Sequence, residues 1–572
     1  MSNSTPFFQA FGPLLFGKPP ISGLTEAFAK FSELSSLSQL RKAFGSYIPL
    51  ALLSRTSSGE NSRRRIFSLD VVFWSFFDQV QTPNGACREA VRKVMAFTRR
   101  RFPREKETPM SPKTAAYCKA RAKIPLDVMD KINAHLVDRI QSHIPHDQLW
   151  HGRHVKLVDG TGLSMPDTPA NQAQWPQSKS QKPGCGFPSM SLTGIFCLLT
   201  GALVKAAHGD RHTHESKLFQ SLWGSLNKGD LLVADRGFCS FGTFASLLAR
   251  GVDSLMRLPE TKIRKAIGSL LPTANTFDVV VTWKRPAQRT PSQTPEEFAL
   301  LPESIPVRVV RYTIAQRGFR TRCVMLVTTV LDAATPTSDL VALYFQRWDI
   351  ELHFREIKIH LNMDVLRCLT PHMIERELRM HFIAYNLIRC VMQKAALTHD
   401  VDLKRLSFKG SLDTVRQFAN ATCGAEDKPR TVSALIDEML LAIARDPNPL
   451  RPGRSEPRVR KRRPKNYRLL TKPRHEIGPL PHRKVGFGND PKKPLVSAIQ
   501  TPFWRLLPRC QLDRSRNNQG PWKTREKPSD RPPPQKHPGL SYPKKLPRHP
   551  RRMNSHGVYR IFTLRLLLMV PA

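Results

Sequence analysis

The segment Tyr344-Phe-Gln-Arg347-Trp-Asp-Ile-Glu351-Leu-His-Phe-Arg-Glu-Ile-Lys358 concentrates reactive side chains. A phenol, a guanidinium, a carboxylate and an ammonium stand at relative positions 0, 3, 7 and 14. On a helix advancing about 100° per residue, these offsets fall within a sector of roughly 60°. Tyr344, Arg347, Glu351 and Lys358 therefore share one stripe, while Asp349 and Glu356 point elsewhere. Ile350, Phe354, Ile357 and Leu361 form an apolar stripe beside it, the pattern of a helix that faces a core. A merely solvated helix would place its charges opposite that stripe. Spacing alone leaves two readings open, a reactive face and a salt-bridged helix edge.

Two further acids sharpen the first reading. Asp159 and Asp235 each end an apolar run, Val155-Lys-Leu-Val158 and Leu231-Leu-Val-Ala234. Sheet enzymes carry reactive groups at strand ends. An Asp before Gly is also a common turn, so each acid alone says little. Together, Asp159, Asp235 and Glu351 would bring three carboxylates to one place, where they repel unless hard divalent cations lie between them. Two Mg²⁺ ions about 4 Å apart activate a water or 3′-hydroxyl and stabilise the leaving oxygen of a phosphodiester. Arg347 and Lys358 could then hold backbone phosphates.

The elements around these residues change character along the chain. Up to about residue 145 the pattern is helical: Leu69 to Phe77, Cys87 to Phe97, a segment opened by Ser111-Pro112, and Leu126 to Ile140. Basic residues on several of these segments favour a small DNA-binding module over a plain packing domain. Period-two patterning starts near His154. It gives the strand ending at Asp159, a hairpin of Ser191 to Leu199 and Ala202 to Ala206, and the strand ending at Asp235. Helices over Glu215 to Leu226 and Phe241 to Arg250 and a strand over Asp253 to Leu258 follow. Residues 260–320 read as a β-rich insertion, Cys323 to Val330 as a strand, and Thr337 or Ser338 as the cap of the helix carrying Glu351. His381 to Ala395 and Val432 to Ala444 are helical.

Composition narrows the partner. With 90 Lys and Arg against 46 Asp and Glu, the net charge of +44 calls for a polyanion, most simply nucleic acid. Residues 451–572 hold 31 basic and 6 acidic residues, but the remainder, with 59 and 40, is basic on its own. Twenty of the 48 prolines lie in those last 122 residues, which lack the apolar surface to offset chain entropy. The ten cysteines form no Cys-x-x-Cys pair and fit reduced thiols in a cytoplasm. No secretory signal and no apolar run of the ~20 residues that span a bilayer is present. His208, His212 and His214 beside Glu215 offer a zinc-like pattern without further ligands, and read as an exposed turn near DNA.

These motifs resemble the DDE transposases of bacterial insertion sequences, in the group numbered four, to which the transposon five enzyme belongs. The Tyr-x2-Arg-x3-Glu-x6-Lys signature of that family is met by Tyr344, Arg347, Glu351 and Lys358. Val158-Asp159-Gly-Thr-Gly-Leu-Ser-Met-Pro166-Asp167-Thr168 and Gly229-Asp-Leu-Leu-Val-Ala-Asp235-Arg-Gly-Phe238 resemble its two Asp blocks. The likeness runs from about residue 25 to about 476.

The resemblance implies an RNase H-like α/β mixed-sheet core with the β-rich insertion, preceded by a helical domain and followed by helices and a disordered tail. Its domains would be 1–145 (helical, DNA-binding), 150–425 (catalytic), 426–476 (helical and basic) and 477–572 (a Pro- and Arg-rich extension). Asp159, Asp235 and Glu351 would be catalytic and hold two Mg²⁺ ions, with Mn²⁺ as a substitute. Tyr344, Arg347 and Lys358 would bind the DNA ends. The partners implied are double-stranded DNA with terminal inverted repeats, target DNA and a second copy in a homodimer. The setting implied is a bacterial cytoplasm, at the nucleoid and away from membranes. Trp283 in the insertion could stack on an extruded base, against the plainer reading of a core Trp. Two other readings remain: a catalytically inactive remnant that only binds DNA, and a repair nuclease on the same fold.

Overall fold

The computed structural model of the chain describes residues 44–477, apart from 102–109, 259–270, 315–321, 424–428, 451–469 and some shorter gaps. The expected tail beyond 477 lies outside the described residues, and so does part of the 260–320 insertion.

Helices α1 (Leu69–Gln81), α2 (Cys87–Arg101), α3 (Ala115–Arg121) and α4 (Leu126–Ser142) come first. The third does not start at Ser111-Pro112; Thr114 stands at its N-terminus. Eight strands follow, β1 (Val155–Ser164), β2 (Ser189–Cys197), β3 (Leu203–Asp210), β4 (Leu231–Ala234), β5 (Asp253–Arg257), β6 (Phe277–Lys284), β7 (Ser304–Ile314) and β8 (Arg322–Thr328). They form one mixed sheet in the order β3-β2-β1-β4-β5-β8-β7-β6. The strands of the 260–320 stretch therefore do not stand apart. They continue the sheet past β5 through β8.

Period-two alternation sorts the central strands between two cores. Leu157, Leu231, Val233 and Leu255 point into a core shared with the helices. Val158, Leu232, Ala234 and Met256 point into the other. On that second face lie α5 (Glu215–Gln220) and α6 (Phe241–Ala249), shorter in the first case than the expected 215–226 helix. On the first face lies α9 (Pro371–His399), preceded in sequence by α7 (Thr337–Phe345) and α8 (Asp349–Arg355). Leu136 and Ile140 of α4, Phe73 and Phe77 of α1, and Ile383, Leu387 and Val391 of α9 belong to one continuous buried cluster.

The segment from Thr337 to Lys358 is not the single helix that spacing predicts. After α7 comes a 3₁₀ turn over Gln346–Trp348, then α8, then a π-helical turn over Glu356–His360. The expected Thr337 cap is also absent. Pro336 occupies the cap position without a side-chain bond, and the Thr337 hydroxyl donates to Asp278 of β6 instead. The apolar stripe does hold, since Ile350, Phe354, Ile357 and Leu361 are all buried. Phe354 packs edge-on against Phe196 of β2, with ring centroids 5.1 Å apart.

A buried ion pair fixes the π turn. Glu356 Oε2 accepts from Arg389 Nη2 of α9, and Tyr385 Oη donates to Glu356 Oε2 at 3.2 Å and to Gly201 O at 2.7 Å. Gly201 has φ +68°, and a Cβ there would stand 2.6 Å from His353 Cε1 and 2.8 Å from Arg389 Cζ. Burial alone would raise the Glu356 carboxyl, but the Arg389 guanidinium and His353 outweigh it and bring it down to about 2.

Breaking this pair leaves an uncompensated buried charge, so Glu356→Gln should cost on the order of 3 kcal/mol in urea unfolding at pH 7. The folded carboxyl lies at about 2 against an ordinary 4.5. Its contribution is therefore complete above pH 4.5 and drains as pH falls towards 2. The gap between native chain and variant should close over that window; a gap that stays constant would remove the pair from the fold's electrostatics.

Candidate active site

β1 pairs in parallel with β4 from Val155↔Leu231 to Val158↔Ala234, and there the pairing ends. Asp159 and Asp235 are the next residues on the two strands. Asp159 is thus at the end of the parallel ladder but not, as the sequence suggests, at the end of its strand. β1 runs on to Ser164 because β2 continues to pair with it, through Asp159↔Gly194 to Ser164↔Ser189.

Both aspartates are half-buried, as is Glu351 in α8. Burial pushes the Asp159 carboxyl up to about 6; the Gly160 N–H and Arg347 oppose the rise, and Glu215 and Asp235 add to it. Glu351 is likewise raised by burial, with Arg347 lowering it and Asp235 raising it. Asp235 is thus felt by both other acids, and Arg347 lies between Asp159 and Glu351 electrostatically. The spread between these like charges follows from backbone placement, not from a ready coordination sphere. Among the described residues, no three His, Cys, Asp or Glu side chains stand as a group able to hold a metal ion.

Arg347 is 6% exposed, with its guanidinium 4.5 Å from the Trp348 ring centroid and 5.9 Å from that of Tyr344. Its Nε is buried with no hydrogen-bond partner. Tyr344 is buried too, and burial raises its phenol well above the usual range, so it stays protonated. Lys358, on the π turn, reaches the far half of β1. Its Nζ donates to Thr161 Oγ1 at 3.2 Å and Gly162 O at 3.0 Å, and pairs with Asp364 at 3.0 Å. The extension of β1 and the π turn thus meet at the lysine.

One residue near this site has no signal in the strand-end and helix-stripe patterns. Glu215, the first residue of α5, lies so close to Gly160 that a Cβ there would meet its Oε1 at 2.3 Å. Although its rim is exposed, loss of water on its inner side raises the carboxyl; His214 opposes this and Asp235 adds to it. Two of the neighbouring histidines have other partners. His208 Nε2 pairs with Glu375 at 3.0 Å, and the exposed His214 accepts from Ser216 N through Nδ1 at 3.2 Å. Trp283 is 5% exposed and packs on Phe241 and Phe244 at 5.8 and 5.6 Å, which is the core reading.

Comparison with known proteins adds a family to this geometry. Residues 150–387 match the model of the transposase DDE domain. The chain is 25% identical over 456 residues to the Escherichia coli (strain K12) transposase InsG for insertion sequence element IS4, covering 77% of this chain and 97% of that protein. A probable transposase for insertion sequence element IS5377 from Geobacillus stearothermophilus is 29% identical over 116 residues, 20% of this chain and 29% of that one. A solved piggyBac transposase synaptic complex with hairpin DNA overlaps 74% of this chain and 86% of its own, at 12% identity and a TM-score of 0.36, too low to bear on the fold. The resemblance to group-four DDE transposases is upheld by the family model and both sequence relatives.

The Asp159 carboxyl binds its proton more tightly in the folded chain, at about 6 against 3.8. Its presence therefore costs stability progressively as pH rises through that window, by at most about 3 kcal/mol. In chelator-treated buffer, Asp159→Asn should melt higher than the native chain at pH 8, and the difference should vanish below pH 4. An equal or lower melting temperature at pH 8 would contradict the crowding of acids around it.

Proposed function

We propose that the chain is a DNA transposase that cuts and joins DNA at the terminal inverted repeats of an insertion sequence. The observation that carries this reading is a buried Arg347 with an unpartnered Nε, acting on both Asp159 and Glu351, with Asp235 close enough to act on the same two acids. A desolvated guanidinium calls for an anion, and a phosphate suits its planar fork. Carboxylates without thiol or imidazole call for hard divalent cations. The donor set fits Mg²⁺, with Mn²⁺ as a substitute, and Asp159, Asp235 and Glu351 would hold two such ions. When bound, these ions supply an activated water or 3′-hydroxyl and charge stabilisation at the leaving oxygen.

The chain's own side chains have separable tasks under this reading. Arg347, shielded from water by Trp348 and Tyr344, fixes the phosphate next to the acids. Tyr344, kept protonated, donates a hydrogen bond to DNA. Lys358 holds a second phosphate along the β1 extension. The order β3-β2-β1-β4-β5, with only β2 antiparallel to the other four, supports an RNase H-like core, and residues 260–320, with β6 and β7, would be its insertion. Residues 1–145, of which the described part carries α1 to α4, would be the DNA-binding domain, 150–425 the catalytic domain and 426–476 a C-terminal basic segment. A homodimer would bring two DNA ends together. The net charge of +44 supports a polyanionic partner. No helix among the described residues is long and apolar enough to cross a membrane.

Two substitutions separate chemistry from binding. Glu351→Gln keeps the shape but loses a charge needed to hold a divalent ion, so strand cleavage of an inverted-repeat substrate should be abolished with DNA affinity nearly intact. Full cleavage by this variant at saturating Mg²⁺ would refute the assignment. Binding without cleavage by the native chain would favour a remnant, and cleavage without strand joining a nuclease.

Lys358→Ala should instead weaken binding to cleaved ends. It should also lower the slope of log affinity against log salt by about one unit, as for one lost phosphate contact. An unchanged slope would make Lys358 a structural residue.

A further inference from the structure

A cavity of about 320 Å³ lies between the corner that joins α1 to α2 and the segment that follows the π turn. Phe76 and Val80 of α1 and Leu361 give it apolar walls, while Arg121 of α3 and Arg367 bring two guanidiniums to it. Its size is at the lower end of the roughly 300–1,000 Å³ of small-molecule sites. A groove adjoins it. Asn84, Asn362 and Arg367 line both spaces, and Lys358 lines the groove. The cavity is therefore next in line after the cation read above as a phosphate holder.

Arg121 is more than nine-tenths buried, with its guanidinium 4.7 Å from the Phe76 ring centroid. It donates to Gln79 Oε1 at 3.0 Å and to Cys368 Sγ at 3.6 Å, and its Nε has no hydrogen-bond partner. Arg367 is exposed where cavity and groove meet. Its guanidinium reaches Gly85 O and Asn84 Oδ1, each at 3.4 Å, which is long for a hydrogen bond. None of these acceptors carries a charge. The carboxylate in the wall, Glu377, is already taken up by backbone: its oxygens accept from Arg367 N at 2.9 and 3.0 Å and from Cys368 N at 2.9 Å. His381, also in the wall, is held neutral, since burial and then Arg367 bring it down to about 3, and its Nδ1 has no partner. Two cations thus face an enclosed space with neutral acceptors as their hydrogen-bond partners. Such burial is costly until an anion arrives. A phosphate suits the guanidinium fork, and the apolar walls suit an organic group attached to it.

We propose that this cavity receives the terminal nucleotide of an unpaired DNA strand, its phosphate held by Arg121 and Arg367 and its remainder against Phe76 and Val80. The inference rests on the transposase reading above and adds a strand-end subsite to it. A free nucleotide would satisfy the same groups. The shared lining with the groove of Lys358 favours DNA, because a strand held at Lys358 has the cavity as its next basic stop. A space of this size admits no duplex, so a strand enters it only by an unpaired end. Arg121 comes from the N-terminal helices and Arg367 from the segment after the signature, so both parts of the chain grip the same strand.

The test compares duplexes that carry the element's cleaved end, either blunt or with a short unpaired tail on the 5′ or the 3′ strand. Affinity for the full-length chain is read by fluorescence anisotropy. Occupancy of the cavity is read at Cys87, a half-buried thiol in its lining, from the rate of alkylation followed by peptide mass spectrometry. One of the tailed duplexes should bind about tenfold more tightly than the blunt one, as for a charge-assisted hydrogen bond, and should slow alkylation of Cys87. Arg367→Gln, at an exposed position, should remove this preference and leave affinity for the blunt duplex unchanged. Ala86→Trp, which fills the cavity from its exposed edge, should do the same with both arginines in place. Equal affinity for blunt and tailed ends, with Cys87 alkylated at one rate in both complexes, would overturn the subsite and leave the transposase reading standing. Protection of Cys87 by a deoxynucleoside monophosphate but by neither tailed duplex would overturn the DNA strand as the occupant. A native chain that binds none of the duplexes would overturn the transposase reading and this inference with it.

Discussion

The site depends on the point where one ladder of hydrogen bonds stops. Parallel pairing of β1 with β4 ends at Val158↔Ala234, while β1 keeps its antiparallel partner as far as Ser189. Adjacent strands lie about 4.8 Å apart. Two aspartates that follow the last pair of a parallel ladder therefore begin as neighbours, whatever their side chains do. Apolar side chains on both faces of the strands hold this arrangement, because Leu157 and Val233 enter one core and Val158 and Ala234 the other. A one-residue slip would reverse every one of those contacts. Hydrophobic burial thus fixes a pair of like charges that would otherwise separate.

The helical side of the site is stabilised differently, by charges taken out of water. Arg389 and Glu356 are both deeply placed and matched to each other. Arg347 is as buried but has aromatic rings and distant acids around it in place of a direct partner. The first arrangement is settled as it stands. The second leaves a buried Nε without a hydrogen-bond partner among the described residues, and the proposed phosphate role of Arg347 rests on this contrast.

Much of this was legible in the sequence because it is periodic or local. The apolar runs at Val155 and Leu231 are strands, and the buried stripe of Ile350, Phe354, Ile357 and Leu361 follows helical spacing. The breaks in that helix were not legible. A π turn arises from tertiary demands, here the pull of Arg389, some thirty residues on, upon Glu356. The length of β1 was hidden because Gly160, Thr161 and Gly162 look like a turn, and only pairing with β2 makes them a strand. The insertion strands could be seen but not their partner, since strand neighbours across β5 and β8 are a property of the sheet. In the sequence Glu215 stands only as the start of a helix and beside histidines, because its relation to Gly160 spans 55 positions and leaves no periodic trace.

Lys358 carries a consequence of its own. Its ammonium is already engaged by Thr161, by the Gly162 carbonyl and by the half-exposed Asp364. Any anion that arrives there enters a competition, with Asp364 as the resident rival. The Asp364 side of this pair is open to solvent while the Lys358 side is largely covered, and the rival is tethered and never diffuses away. Exchange of this sort rewards a ligand that brings several charges at once over one that brings a single charge, and it makes release of the ligand a rebinding event inside the protein instead of the exposure of a bare cation.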